Sequence, residues 1–340
     1  MTTYIPEVDD DLGEMMRAVF AKYRDRSHSS SLDRQLWTEL SELGLTRLTE
    51  SEATGGSGAS WYEGAELLSA AAAQAIRVPF AEHDLMAGSL LNEMSLPIDS
   101  RIRTVALVDQ SGRSDDVPWA STAEVIVTVW QRDSEYFAAV VESESLKELV
   151  SGANAIGEPR DRITVDLSAV AAIRVSENLV NRLRLKGALA RSIQVCAALD
   201  RALELSVEHA ASRKQFGRPL AKFQAVQSLI ADAAGECALA RAATEAALDA
   251  AVNSGWNAQH LEFLIAVARS CTGHAAGTVV RNAHQVHGAI GTTAEHSLHA
   301  FTRAALVWRS EFGSVKYWDR RVAEAARTVG GAGLWSLIAD

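Results

Sequence analysis

The hydrophobic period changes twice along this chain, and those two changes limit what it can fold into. Up to about residue 100 the apolar side chains recur at helical spacing: Leu12, Met15, Met16, Val19 and Phe20, then Leu36, Leu40 and Leu43, with Gly44 as a stop. After the flexible loop Thr54-Gly-Gly-Ser-Gly-Ala-Ser60, an alanine-rich helix is expected from Trp61 to about Ile76. A further helix, His83 to Met94, lies between Pro79 and Pro97. From Arg101 the pattern becomes short β-favouring runs: Thr104–Val108, Glu124–Trp130, Tyr136–Val141, Ile163–Leu167 and Ala172–Val175. Ser111-Gly112 and Asp116–Trp119 read as turns between them, and the β unit as mostly antiparallel. Past Glu177 the helical period returns, over Leu183–His209, Phe223–Asn253, His260–His287 and, last, Trp318–Val329 ahead of Gly330-Gly-Ala-Gly333. The expected class is mainly α with a central β domain. It divides into an N-terminal helical domain over residues 1–100, a β domain over 101–176 and a C-terminal helical bundle over 177–340.

Composition excludes some functions. The chain has 340 residues, 48% hydrophobic and 22% charged, which suits a soluble globular protein. A net charge of −10 argues against nucleic-acid and anionic-membrane partners. Cys196, Cys237 and Cys271 are far apart, share no metal spacing and read as reduced core residues. The opening Met1-Thr-Thr-Tyr-Ile-Pro-Glu-Val-Asp-Asp10 has neither a basic nor an apolar leader region. No uninterrupted apolar stretch approaches the ~18 residues of a membrane span. A cytoplasmic location is expected.

Two runs carry chemistry. The first is Ser-Arg-Lys-Gln-Phe-Gly-Arg-Pro-Leu-Ala-Lys-Phe-Gln, Ser212 to Gln224. Arg213 offers a permanent fork of donors to a pyrophosphate, and Gln215 and Gln224 add neutral donors. Phe216 can lie against a ring, while Gly217 and Pro219 break the helix so that backbone N–H groups can face an anion. The second run is Gln-Val-His-Gly-Ala-Ile-Gly-Thr-Thr, Gln285 to Thr293. Gln285 precedes a Gly288-Ala289-Ile290-Gly291 turn where the main chain can approach a phosphate, and Thr292 adds a hydroxyl. Taken singly, Arg213 also reads as a surface ion pair and the glycines as a helix–helix turn.

In this order and in a helical C-terminal half, the two runs resemble the flavin-binding segments of the acyl-CoA dehydrogenase family. The resemblance covers most of the chain. Leu36-Trp-Thr-Glu-Leu-Ser-Glu-Leu-Gly-Leu45 and Gly55-Gly-Ser-Gly58 look like the family's entry helices and glycine loop, and Gly157-Glu-Pro159 with Asp166 like the end of its β domain. It implies an acyl-CoA dehydrogenase-like fold, FAD as cofactor, and α,β-dehydrogenation of an acyl-CoA thioester as the reaction. It also implies that Arg213, Gln215, Phe216, Gln224, Gln285, Gly288, Ala289, Gly291 and Thr292 contact the FAD of a neighbouring subunit. No metal is needed, and His284, His287, His296 and His299 read as polar bundle or interface residues.

The chain departs from that pattern where the flavin ring and the base should be. Family members carry a Thr-Glu-Pro-x-x-Gly-Ser-Asp type segment and a Trp-Ile-Thr type strand in the β domain; neither can be placed between Val105 and Ala123, so a shortened β domain is expected. In one family branch the base is a glutamate after the second flavin motif. Here Phe312 falls on that register and Glu311 one residue before it, a rotation of about 100° on a helix. Glu311 is the candidate catalytic base; the competing reading is a carboxylate paired with Arg303, Arg309 or Arg320. In another branch the base precedes the arginine motif, at a position near Gly187 where no carboxylate lies. The whole resembles the short, non-catalytic subunit of actinobacterial heterotetrameric (α2β2) steroid side-chain acyl-CoA dehydrogenases. That resemblance implies a catalytic partner subunit, an acyl-CoA substrate such as a steroid side-chain CoA ester, and electron-transfer flavoprotein or a similar acceptor. A self-sufficient homo-oligomer using Glu311, and a non-enzymatic scaffold of the same fold, are the alternatives.

Overall fold

A computed structural model describes residues 8–24 and 31–339, without the side chains of 338 and 339; Met1 to Glu7 of the opening stretch lie outside it. The chain forms two compact units, Pro6–Gly187 and Ala188–Asp340.

In the first unit, α1 (Asp10–Tyr23) and α2 (Arg34–Glu42) start at Asp9 and Asp33, whose carboxylates accept the first free N–H groups of each helix. A capping box of Ser60 and Glu63 opens α3 (Trp61–Ala73). The expected helix from His83 to Met94 is only partly α. Ala81–Gly88 is wound as a π-helix, and α4 (Ser89–Glu93) follows. All eight residues of the π segment are buried, Glu82, His83 and Asp84 among them. The wider turn is where these polar side chains find partners: Asp84 accepts the N–H and the hydroxyl of Thr49, both at 2.9 Å, and His83 Nδ1 accepts the N–H of Arg103 at 3.1 Å.

The strands are β1 (Arg103–Leu107), β2 (Arg113–Pro118), β3 (Val125–Arg132), β4 (Glu135–Glu142), β5 (Glu148–Val150), β6 (Arg160–Thr164) and β7 (Ile173–Val175). They form two sheets, ordered β1-β3-β4-β7 and β2-β6-β5. All pairings are antiparallel except β1 with β3, where Val105 faces Val127. Ala106, Val117, Ile126, Trp130, Ala139 and Ile163 form a common core. β2 corrects the sequence reading, which took Asp116–Trp119 for a turn: Arg-Ser-Asp-Asp-Val-Pro pairs with β6 through a bulge between Ser114 and Val117. The three residues of β5, all exposed, carry no alternation to betray a strand.

α5 (Glu177–Ser212) begins in the first unit and continues into the second. Next come a short hairpin of β8 (Lys214–Gln215) and β9 (Arg218–Pro219), then α6 (Gln224–Asn253) and α7 (Leu261–His287). A 3₁₀ turn, Gly288–Thr292, leads to α8 (Leu298–Trp308) and α9 (Val315–Ala339). α9 is interrupted where the sequence reading ended it, at Gly330 with φ 63°, but resumes afterwards. The facing sides of α6 and α7 are built from small residues, Ala233, Cys237, Ala240 and Ala247 against Ala268, Thr272, Ala275 and Ala276, which lets two long helices lie close. Burial pushes the Cys196 thiol up to about 12 and raises those of Cys237 and Cys271, and all three are free thiols. The stretch Leu261–Thr292 is long and apolar enough to cross a membrane by composition, yet half of its most apolar part is buried, as in the core helix of a bundle.

Candidate functional site

The first motif folds as the hairpin at the end of α5. Ser212 turns its hydroxyl back to the Glu208 carbonyl at 2.8 Å, and the Leu220 N–H donates to the Arg213 carbonyl at 2.9 Å to close the loop. At its tip Phe216 and Gly217 both have left-handed backbones, φ 51° and 78°, as a type I′ turn requires. Asparagine or glycine would hold that turn without strain; a phenylalanine that is 91% exposed is there for something other than this unit's core. The Arg218 guanidinium lies 4.2 Å from the centre of the Phe223 ring. Arg213, Lys214, Arg218 and Lys222 thus crowd one hairpin, and among the described residues no carboxylate pairs with any of them. α6 starts immediately after with no side-chain cap, so its positive end opens beside these cations, with Gln224 as its first residue.

The second motif caps α7. Gly288 has φ 64°, and a Cβ added there would meet nothing within 4 Å, so its glycine serves backbone conformation in open space. Gly291 is different: a Cβ would fall 2.8 Å from Cβ of His287 and 3.1 Å from Leu298. The Thr292 hydroxyl donates to the Ala289 carbonyl at 2.8 Å, which leaves its oxygen to accept. Gln285 and Ala289 are exposed.

Histidines join the two motif-bearing ends. His209, one helical turn before Arg213, stacks on His287 with ring centres 4.6 Å apart. His296 meets His287 edge-on at 4.7 Å. Burial holds His287 down at about 4, with its histidine neighbours adding to the effect. His209 and His296 are lowered too, by burial first, then by His296 and Arg213 for the one and His299 for the other. In all three rings burial thus favours the neutral imidazole. His284 instead bonds to the Thr302 hydroxyl at 3.0 Å, and His299 to the His296 carbonyl at 2.7 Å. His209 was not singled out from sequence; the signal available was its place one turn above Arg213 on the same helix.

Glu311 sits in the turn after α8. Arg191 of α5, 3% exposed, donates to its carboxylate at 2.6 Å. Arg303, Arg309 and Arg320 were the partners the sequence suggested; the observed bond comes from a residue 120 positions away. Arg269 is buried and donates to the backbone carbonyls of Trp308, Arg309 and Glu311 at 3.2, 2.9 and 2.7 Å. Burial, helped by the Arg191 charge, lowers Arg269 to about 10. The next residue, Phe312, has φ 54°, and the Arg191 guanidinium is 5.9 Å from its ring.

A profile of the acyl-CoA dehydrogenase C-terminal domain family matches residues 181–327, which hold both motifs and the Glu311 turn. A curated relative, acyl-CoA dehydrogenase FadE27 of Mycobacterium tuberculosis, is 26% identical over 367 aligned positions, covering 95% of this chain and 98% of the relative. Residues 181–327 belong to the acyl-CoA dehydrogenase C-terminal domain family, and the chain as a whole is similar to an acyl-CoA dehydrogenase along nearly its full length. Its fold is that of the family. The ChsE4–ChsE5 complex from Mycobacterium tuberculosis matches with a TM-score of 0.84 at 22% identity, over 95% of this chain and 98% of that one. A variant of the Tcur3481–Tcur3483 steroid acyl-CoA dehydrogenase matches at 0.82 and 21%, over 92% and 96%. In this chain the exposed donors gather on the hairpin and the α7 cap, while the candidate base Glu311 is tied to a buried arginine.

Proposed function

We propose that this chain is a subunit of an FAD-dependent acyl-CoA dehydrogenase and contributes to an FAD site shared with a catalytic partner subunit. The observation that carries this reading is the hairpin at the end of α5: four cations without a carboxylate partner among the described residues, in a chain whose net charge is −10. Such a concentration of positive charge suits a pyrophosphate. Arg213, Gln215 and Gln224 with the open end of α6 would hold that group. Phe216 offers an exposed ring face, and Gln285, Gly288, Ala289, Gly291 and Thr292 supply a close backbone approach and hydroxyl contact. The flavin supplies acceptance of the β-hydrogen and its electron pair as a base removes the α-proton of the thioester. This chain's own part is to bind and orient.

The partner supplies the base and the flavin-ring pocket. Two features support that division: no family-type ring-lining segment can be placed between Val105 and Ala123, and Glu311 bonds to Arg191. Glu311 is assigned as a structural carboxylate. The likeness to ChsE4–ChsE5 and to a steroid acyl-CoA dehydrogenase supports an α2β2 assembly acting on a steroid side-chain CoA ester. Electron-transfer flavoprotein or a similar carrier takes the electrons, in the cytoplasm. The three-part division at residues 100 and 176 belongs to the same reading.

Co-expression with a neighbouring-gene acyl-CoA dehydrogenase, and expression alone, test it by flavin absorbance per protomer and native mass. The expected result is a colourless chain alone and a yellow complex with about one FAD per two protomers, from which Arg213→Ala removes the flavin. A yellow, active homo-oligomer, or full flavin retention by the Arg213→Ala complex, overturns it. Flavin absent from every complex would leave a scaffold.

A further inference from the structure

We infer that His209, His287 and His296 form a binding site for a divalent transition-metal ion, Zn²⁺ being the fitting class, at the end of the bundle where the two motif segments meet. The three residues each offer a ligand atom, and these atoms all lie within 4.8 Å of one another. Three neutral imidazoles and one open position are a common zinc donor set.

The second observation is the state of His287. Its Nδ1 bonds to the Ala283 carbonyl at 2.8 Å, which places the proton there and leaves a lone pair on Nε2. That Nε2 is buried and has no hydrogen-bond partner. A ring whose Nδ1–H is fixed by a backbone carbonyl while its Nε2 is buried within reach of other imidazole nitrogens has the hydrogen bonding of a metal-ligating histidine. A buried acceptor without a donor is also a cost that a cation would remove.

Three adjustments are needed, the first being that the His209 and His287 rings, stacked at 25°, turn so that a lone pair of each points at one centre. Tetrahedral zinc at about 2.0–2.1 Å from each nitrogen holds its ligands about 3.4 Å apart, so the rings must close by up to roughly an ångström and a half. His209 and His287 sit at the ends of long helices, whereas His296 lies on the connection between the 3₁₀ turn and α8, outside any helix, and is the ring placed to move. His296 Nδ1 accepts the Leu298 N–H at 3.1 Å, and that bond must open whichever ring nitrogen takes the metal. Losing one neutral hydrogen bond lowers affinity roughly fivefold to tenfold, not enough to cancel a three-imidazole site. Bound metal would tie the end of α5, four residues before Arg213, to the residue that precedes Gly288. Only this consequence rests on the flavin reading; the site itself does not.

The test is titration of the full, tag-free and flavin-free chain, stripped by dialysis against chelator, with Co²⁺ followed by visible absorption, then with Zn²⁺ in competition. One Co²⁺ per chain with a four-coordinate spectrum, displaced by Zn²⁺, is expected. His209→Gln and His287→Gln should each lower the affinity at least a hundredfold, while His274→Gln, at an exposed ring bonded to Asp319, leaves it unchanged. Co²⁺ binding unsaturated at one equivalent, or equal in the His287→Gln chain, overturns the inference. If the variants do not fold, X-ray absorption of the zinc-loaded wild-type chain decides: three imidazole ligands support it, and two or fewer overturn it. Flavin content of the complex is measured separately, so loss of one reading leaves the other standing.

Discussion

The buried Asp84 should make the first unit lose stability as pH rises. Asp84 is fully buried, and its carboxyl is pushed up from 3.8 to about 7. Burial is the main cause, with the Glu50 carboxylate adding to it, while the Thr49 bonds and Arg103 pull the other way. One carboxyl oxygen accepts twice from Thr49, and the other is buried without a partner. The folded form therefore holds a proton that the unfolded chain has released between roughly pH 4 and 7. Because the folded value lies above the unfolded one, the stabilisation is full at low pH and is lost as pH rises through about 7. A shift of about three units corresponds to about 4 kcal/mol over the whole range, of which about 3 kcal/mol falls between pH 5 and 8. Histidines lowered by burial, such as His83 and His287, act in the opposite direction below pH 6.5, so the wild-type curve alone is not diagnostic. The comparison is with Asp84→Asn, which keeps the acceptor for Thr49 and does not titrate. Urea unfolding at pH 5, 6, 7 and 8 should show the wild-type stability falling relative to the variant by about 3 kcal/mol. Hydrogen exchange across Ala81–Gly88 should place the effect in the π segment. A difference constant within about 1 kcal/mol across that range would mean that Asp84 is ionised in the folded protein and that the argument from burial is wrong.

Other consequences can be read directly. Arg269→Met removes the buried donor to the carbonyls of Trp308, Arg309 and Glu311 at the end of α8 and should lower stability by about 3–5 kcal/mol, seen as a drop in Tm of the chain. Gly291→Ala should cost about 1–3 kcal/mol from its clash with His287 and Leu298, in thermal unfolding. Gly288→Ala, in open space, should cost about 1–2 kcal/mol from its positive φ alone, so repacking variants around position 291 should rescue the first and not the second.

Long elements were legible in the sequence, because periodicity summed over many residues is a strong signal: α6 over Gln224–Asn253 and α7 over Leu261–His287 match the expected bounds to within a residue. α8 is not among the helices expected from sequence, although Leu298, Phe301, Thr302, Ala305 and Trp308 are buried at helical spacing; eleven residues hold too few periods for the pattern to stand out. β2 was illegible for a physical reason: an Asp-Asp-Val-Pro run has strand pairing only because β6 lies beside it. The π winding at Ala81–Gly88 has no local marker and depends on Thr49 and Arg103, distant in sequence. At the candidate site the motifs could be found by residue type. What could not be found was that His209 stacks on His287, or that Arg191 reaches Glu311, since each contact joins segments more than seventy residues apart.

The Arg191–Glu311 bond decides what that carboxylate can do, and it gives the last prediction. The arginine is 3% and the carboxylate 14% exposed, so the pair is shielded from water, and its geometry at 2.6 Å is that of a charge-assisted hydrogen bond. Removing one partner of such a pair costs about 3–5 kcal/mol, since the other charge stays buried and loses its opposite charge. A general base would have to leave Arg191 to meet a proton, and that energy would stand against it as a factor of about a hundred to several thousand in rate. Arg191→Ala and Glu311→Ala should therefore each destabilise the chain, and the double variant should be no worse than the poorer single one, giving a coupling of about 2–3 kcal/mol in a thermodynamic cycle. In the complex with its partner, Glu311→Gln should leave dehydrogenation within about twofold, because an amide still accepts from Arg191. A Glu311→Gln complex that folds, keeps its flavin and loses activity by a factor of about a thousand would show the carboxylate to be the base after all.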